Sequence, residues 1–176
     1  MIHRRIDVHH HVLPPTYVAW LRKEGIHDAG GRALPDWSVQ STLDLMGRFE
    51  IETGILSVST PGVRLRPRMG KNDKGRRRAR EVNEFSARIA QEHPGRFGFF
   101  ATLVLPDLDG AIAEASYALD TLHASGVILL ANTHGSTLAT SPTIRCLRSS
   151  IDVGPSFSPT RRISPGRASR DPGLRR

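Results

Sequence analysis

The chain is short of several things at once. It has one cysteine, Cys146, in 176 residues. No disulfide framework can form within it, which fits a reducing compartment. Its longest apolar runs, such as "GVILLA" at 126–131, are far too short to span a bilayer. No charged segment followed by an apolar one opens the sequence, so no secretory leader is expected. Aromatic residues make up 6%. These absences lead to the expectation of a soluble, cytoplasmic protein with no membrane partner.

The net charge of +8 resembles a nucleic-acid signature, but it is unevenly placed. Residues 1–135 carry 17 Lys and Arg against 15 Asp and Glu, whereas residues 136–176 carry 8 against 2. The body is therefore nearly neutral, as a small-molecule enzyme usually is. The basic stretch has one aromatic residue, Phe157, available for stacking on bases. A basic-tail nucleic-acid-binding protein is the rival class. It predicts salt-dependent affinity that truncation at residue 135 abolishes. The expectation here is no nucleic-acid partner.

What is present is an alternation of strands and helices. "RRIDVH" (4–9) reads as a strand entering a core through Ile6 and Val8. "PTYVAWLRKEG" (15–25) reads as a short helix between Pro15 and Gly25, and 26–37 as a loop. Residues 38–54 carry Val39, Leu43, Met46 and Phe49 at helical spacing behind two candidate caps, Ser38 and Ser41. "ILSVST" (55–60) is a short strand ended by Pro61-Gly62. A basic loop precedes a helix from Arg78 to Pro94-Gly95, with Val82, Phe85, Ile89 and Ala90 on one face. Residues 96–106 read as a buried strand and 107–126 as a helix. "VILLAN" (127–132) has the continuous apolar pattern of a strand buried on both faces. Strands alternating with helices imply a parallel sheet of βαβ units. A closed barrel needs eight such units and about 250 residues, and four strands are readable here. The expected fold is α/β: the N-terminal half of a (β/α)8 barrel at 1–135, then an irregular Arg/Ser/Pro-rich tail at 136–176.

"IDVHHHVLPP" (6–15) ends the first strand. Residues two apart in a strand share a face, so His9 and His11 project together and His10 points away. At the carboxyl end of the first barrel strand that face is the active-site mouth. Two imidazoles there can bind a divalent metal, and imidazole suits zinc. Spacing alone is weak evidence, and position strengthens it.

The stretch "IDVHHHVLP" resembles the first-strand motif of the amidohydrolase superfamily, in the branch related to aminocarboxymuconate-semialdehyde decarboxylase. "GILSVSTPGV" (54–63) is similar to that branch's second strand and following loop. The run from Val82 to Asn132 is similar to its helix, HPGRF turn, third strand, next helix and fourth strand. The resemblance implies a cofactor-free, zinc-dependent carboxy-lyase or hydrolase. The substrate it implies is a small aromatic or unsaturated carboxylic acid; a carbon–nitrogen or carbon–oxygen hydrolase is the alternative. His9 and His11 match its first two metal ligands. No position matches the family's later His and Asp ligands or its assisting His, so the catalytic residues are not assigned. Ser59, Thr60 and Gly62, after the second strand, are candidate substrate-binding residues or an ordinary turn. His134, past the fourth strand, is a further candidate or a solvated loop residue.

From Ser136 the resemblance stops, and 21 of the last 41 residues are Ser, Pro or Arg. That is what a GC-rich gene yields out of frame. Shifting each codon back one base, with wobble bases free, lets Thr143 to Gly166 be decoded as DPVFAELDRRRAVLFAHPTDIPG, which resembles the family's continuation. The reading is a frameshift near residues 134–137, against a natural disordered basic tail. A chain with four of eight strands is expected to be truncated, weakly active or inactive, and prone to self-association or homodimer formation through its open edges. Two other features stay open: Arg76-Arg77-Arg78 with Lys71 and Lys74 as an anion contact or a solvated basic face, and Trp20 and Trp37 as core or pocket wall.

Overall fold

The computed structural model describes residues 5–29, 31–63 and 73–129, with two short strands at 132–133 and 136–137. Strand β1 (Arg5–His11) leads to helix α1 (Pro15–Lys23). Proline at the first helical position costs no hydrogen bond there, because that N–H would have no helical partner. At the other end Ile26 N–H bonds Leu21 O and Gly25 N–H bonds Arg22 O, with Gly25 at φ 78. This is a Schellman stop, and it needs the left-handed conformation that glycine adopts without strain. A two-residue hairpin follows, β2 (Asp28–Ala29) and β3 (Arg32–Ala33), inside the segment expected to be loop.

Helix α2 (Val39–Arg48) starts in a capping box. Ser38 Oγ accepts from Ser41 N–H, and Ser41 Oγ accepts from Ser38 N–H. The helix expected over 38–54 ends six residues early. Glu50 turns at φ 54, and Ile51–Ser57 is strand β4. Sheet pairing on both sides overrides the helical periodicity. Met46 is buried as expected, but Phe49, expected on the buried face, lies past the helix end and is exposed.

Helix α3 (Asp73–Glu92) begins five residues before the expected start and absorbs part of the basic run. Arg76 makes a two-pronged bond to Asp107, 2.7 and 2.6 Å, and the Arg78 guanidinium lies 4.0 Å over the Trp20 ring. These arginines join helices and are not a free anion-binding face. Arg77 and Lys74 are exposed, and Lys71 lies outside the described residues. Trp20 and Trp37 both pack against the core cluster.

Strand β5 (Phe97–Thr102), helix α4 (Leu108–Asp120) and strand β6 (Gly126–Ile128) complete the alternation. Asp107 caps α4 through Gly110 N–H. The helix stops at Asp120, short of the expected 126, and β5 and β6 are shorter than their apolar runs. A last hairpin pairs β7 (Asn132–Thr133) with β8 (Ser136–Thr137).

The four long strands are all parallel, in the order β1-β4-β5-β6. Chain order and sheet order coincide, so right-handed crossovers place α2, α3 and α4 on one face. The core lies between that face and the sheet, around Leu21, Met46, Leu56, Ile89 and Phe99. Among the described residues, β1 and β6 each pair on one side only. Two expectations fail for this reason. Ile6 and Val8, expected to enter a core, are 46% and 56% exposed on the edge strand β1. The β6 residues, expected to be buried on both faces, are half-buried.

Candidate metal centre

The strands are parallel, so their carboxyl ends gather at one rim. His11 is opposite Ser57 in register, and Thr102 is opposite Ile128. The loop 58–63 and the segment from Leu103 to Asp107 leave the sheet at this rim.

His9 and His11 share a side of β1 with ring centroids 4.7 Å apart in an edge-to-face arrangement. Both are exposed. His11 Nδ1 lies 3.4 Å from Ser57 O. A carbonyl only accepts, so in this contact Nδ1 is the donor, and the ring is turned with Nε2 away from the Ser57 carbonyl. His10 points the other way and is buried. A Cβ built on Gly54 would meet both His10 Cγ (3.3 Å) and Met46 Sδ (3.5 Å), which puts His10 on the helix side of the sheet. His9 and His11 therefore face away from the helices.

The His10 imidazole donates Nδ1–H to Asp7 Oδ2 at 2.8 Å, and Asp7 Oδ1 accepts His9 N–H at 3.0 Å. Asp7 thus holds the strand where its pairing register slips, between Asp7 and His10. Partial burial raises the Asp7 carboxyl, but the His9 N–H, the His10 bond and the two nearby imidazoles outweigh it and hold the group below the usual carboxylate range. The part Asp7 plays in orienting this strand was missed at the level of sequence. Its signal is local: an Asp two residues before His9 can accept that residue's N–H.

The donor chemistry suits a divalent transition ion, but the donor number does not complete a site. Two imidazoles are in place, and among the described residues no group of three or more His, Cys, Asp or Glu side chains converges. A catalytic zinc takes three or more protein ligands. Of the other candidates, Ser59 is half-buried and Thr60 exposed in the loop leaving β4. Gly62 is buried at φ 73, and its carbonyl accepts the Tyr17 hydroxyl at 2.9 Å. Ser59 O accepts Gly62 N–H at 3.0 Å. Gly62 thus closes a turn that ties this loop to α1. His134 lies outside the described residues, as does the tail beyond Thr137.

Four parallel βα units thus place a paired histidine motif at the carboxyl end of the first strand. The amidohydrolase family model matches residues 6–145, and the chain belongs to that family. Decarboxylase yanB of Aspergillus niger is 44% identical over 128 residues, covering 71% of this chain and 34% of the relative. The 6-methylsalicylic acid decarboxylase of Penicillium expansum is 36% identical over 126 residues and is covered to 38%. The chain spans about a third of the length of these curated relatives. A solved amidohydrolase II structure superposes with a TM-score of 0.74 at 31% identity, covering 84% of this chain and 47% of that one. A 5-carboxyvanillate decarboxylase from Novosphingobium aromaticivorans, solved with manganese, shares the fold at 19% identity and TM-score 0.64, with 83% of this chain and 47% of that one covered. The expected half-barrel α/β fold and family membership hold.

Proposed function

We propose that the protein to which this chain belongs is a divalent-metal-dependent decarboxylase of a small aromatic carboxylic acid. The observation that carries the reading is the His9–His11 pair, exposed together at the carboxyl rim of a barrel-type sheet. The chain's similarity to fungal decarboxylases supports it. The manganese in a structural neighbour supports a divalent ion and leaves zinc as the finer proposal. Bound at His9 and His11, such an ion would act as a Lewis acid toward the substrate's oxygens. In this chain Asp7 fixes the backbone at His9, the Ser57 carbonyl holds the His11 ring, and the loop at Ser59, Thr60 and Gly62 borders the same rim. No organic cofactor and no nucleic-acid partner belong to this reading, and the cytoplasm is its proposed location.

The tail at 136–176 belongs to the proposal too. It reads as out-of-frame sequence, and the coding DNA tests this. Wobble bases incompatible with the shifted decoding would sink it.

Activity is tested by carbon dioxide release from hydroxylated and methylated benzoates, using the polypeptide restored to frame beside the chain as it stands. Carbon dioxide from the restored protein, with little or none from the chain, is expected. Turnover of amides or esters without carbon dioxide would replace the reading with a hydrolase.

A further inference from the structure

We propose that two copies of this chain close into one eight-stranded barrel, and that His9 and His11 of both copies together form a divalent-cation site at its centre. The inference rests on reading His9 and His11 as metal ligands. It adds where the missing ligands come from.

The sheet has four parallel strands and two edges without a described partner, β1 and β6. Eight parallel strands are the number that closes with an interior filled by side chains. A two-fold axis along the barrel keeps every strand direction unchanged. It therefore sets β6 of one copy beside β1 of the other in the parallel sense both edges require, twice over. The contact uses up both edges and leaves none for further growth. Neither edge carries strong protection against pairing. Gly126, Val127 and Ile128 include no charge or proline, and β1 has no lysine or proline, its charges and register slips falling at Arg5 and between Asp7 and His10. Two apolar side chains of β1, Ile6 and Val8, stand exposed at that edge. A solved relative of the same fold is about twice as long, so the described strands supply half of such a barrel.

Closure has a consequence for the site. All three crossover helices lie on one face, and His10 is on that side, so His9 and His11 face the concave side. In the closed assembly the second copy's β1 becomes the fifth strand, opposite the first. Barrel interiors are layered, and each layer takes its side chains from alternate strands. The first and fifth strands therefore contribute to the same layer. The two exposed imidazoles of one copy then face the two of the other across the axis. Four nitrogen donors around one point satisfy the coordination that two cannot.

The experiment is sedimentation velocity on the full chain over a range of zinc concentrations, with bound zinc measured on the same samples. The expected result is a discrete dimer holding one zinc per two chains, with the dimer tightened at least about tenfold by zinc, as linkage requires. His9→Ala/His11→Ala should lose the zinc and its effect on association. Val8→Lys, with helix content checked by circular dichroism, should give monomer, because an edge lysine opposes pairing. The stoichiometry on the unaltered chain keeps the test decisive if that variant misfolds. One zinc per monomer would overturn the proposal while sparing the ligand reading. Absence of bound zinc from monomer and dimer alike would overturn the shared site. Zinc-independent dimers or open-ended aggregates would overturn the shared site.

Discussion

Asn83 on α3 offers a demanding test of how the rim is held. It is 1% exposed, and its amide forms three bonds. Nδ2 donates to Thr102 O at 3.1 Å and to Glu114 Oε1 at 2.8 Å, and Oδ1 accepts Thr102 N–H at 2.8 Å. One side chain therefore joins α3, the last residue of β5 and α4. Asn83→Ala leaves a buried N–H, a buried carbonyl and one oxygen of a buried carboxylate without these partners. Each orphaned group costs about 1–3 kcal/mol, with relaxation and water entry recovering part of the sum. An overall loss of about 3–5 kcal/mol is expected, a large share of a typical domain's 5–15 kcal/mol. Urea unfolding followed by circular dichroism reads it as a lowered midpoint at unchanged slope. A loss below about 1 kcal/mol would refute the idea that this amide is the tie between β5 and the two helices.

Further outcomes follow from the same geometry. Tyr17→Phe removes the hydroxyl bonded to Gly62 O and should lower stability by about 1–2 kcal/mol in thermal unfolding, since the buried carbonyl loses its donor. Gly62→Ala forces a side chain into φ 73 and should cost about 1–2 kcal/mol by the same assay; an unchanged midpoint would show that the turn relaxes freely. Asp7 has a folded pKa held below its ordinary 3.8, so its contribution is present at neutral pH and is lost as pH falls through the folded value. Asp7→Asn should therefore destabilise at pH 7 and converge with the parent as pH falls through the folded value. A constant gap at all pH would contradict the assignment.

The fold was legible where local chemistry and tertiary pairing agree. Gly25 stops α1 and Ser38 starts α2 because both use backbone chemistry contained within a few residues. The boundary between α2 and β4 was not legible, because residues 51–54, which continue the helical spacing, become strand only by pairing with β1 and, at Gly54, β5. The start of α3 was hidden for a related reason. Its arginines look like a solvated loop until Asp107 and Trp20, distant in sequence, meet them. Ile6 and Val8 follow a core pattern yet stand exposed, since whether an apolar strand is covered depends on what pairs beyond its edge. The histidine motif was readable from two-residue strand alternation. Asp7 was seen beside it, but its two bonds need the register slip that only the folded strand displays.

The reading of the β1 rim as a metal-binding edge stands or falls on one measurement. It is tested most directly by elemental analysis of the purified chain beside His9→Ala/His11→Ala. The expected result is a divalent transition metal on the chain and its loss from the variant. A chain that binds no metal, or a variant that keeps it, would contradict the account.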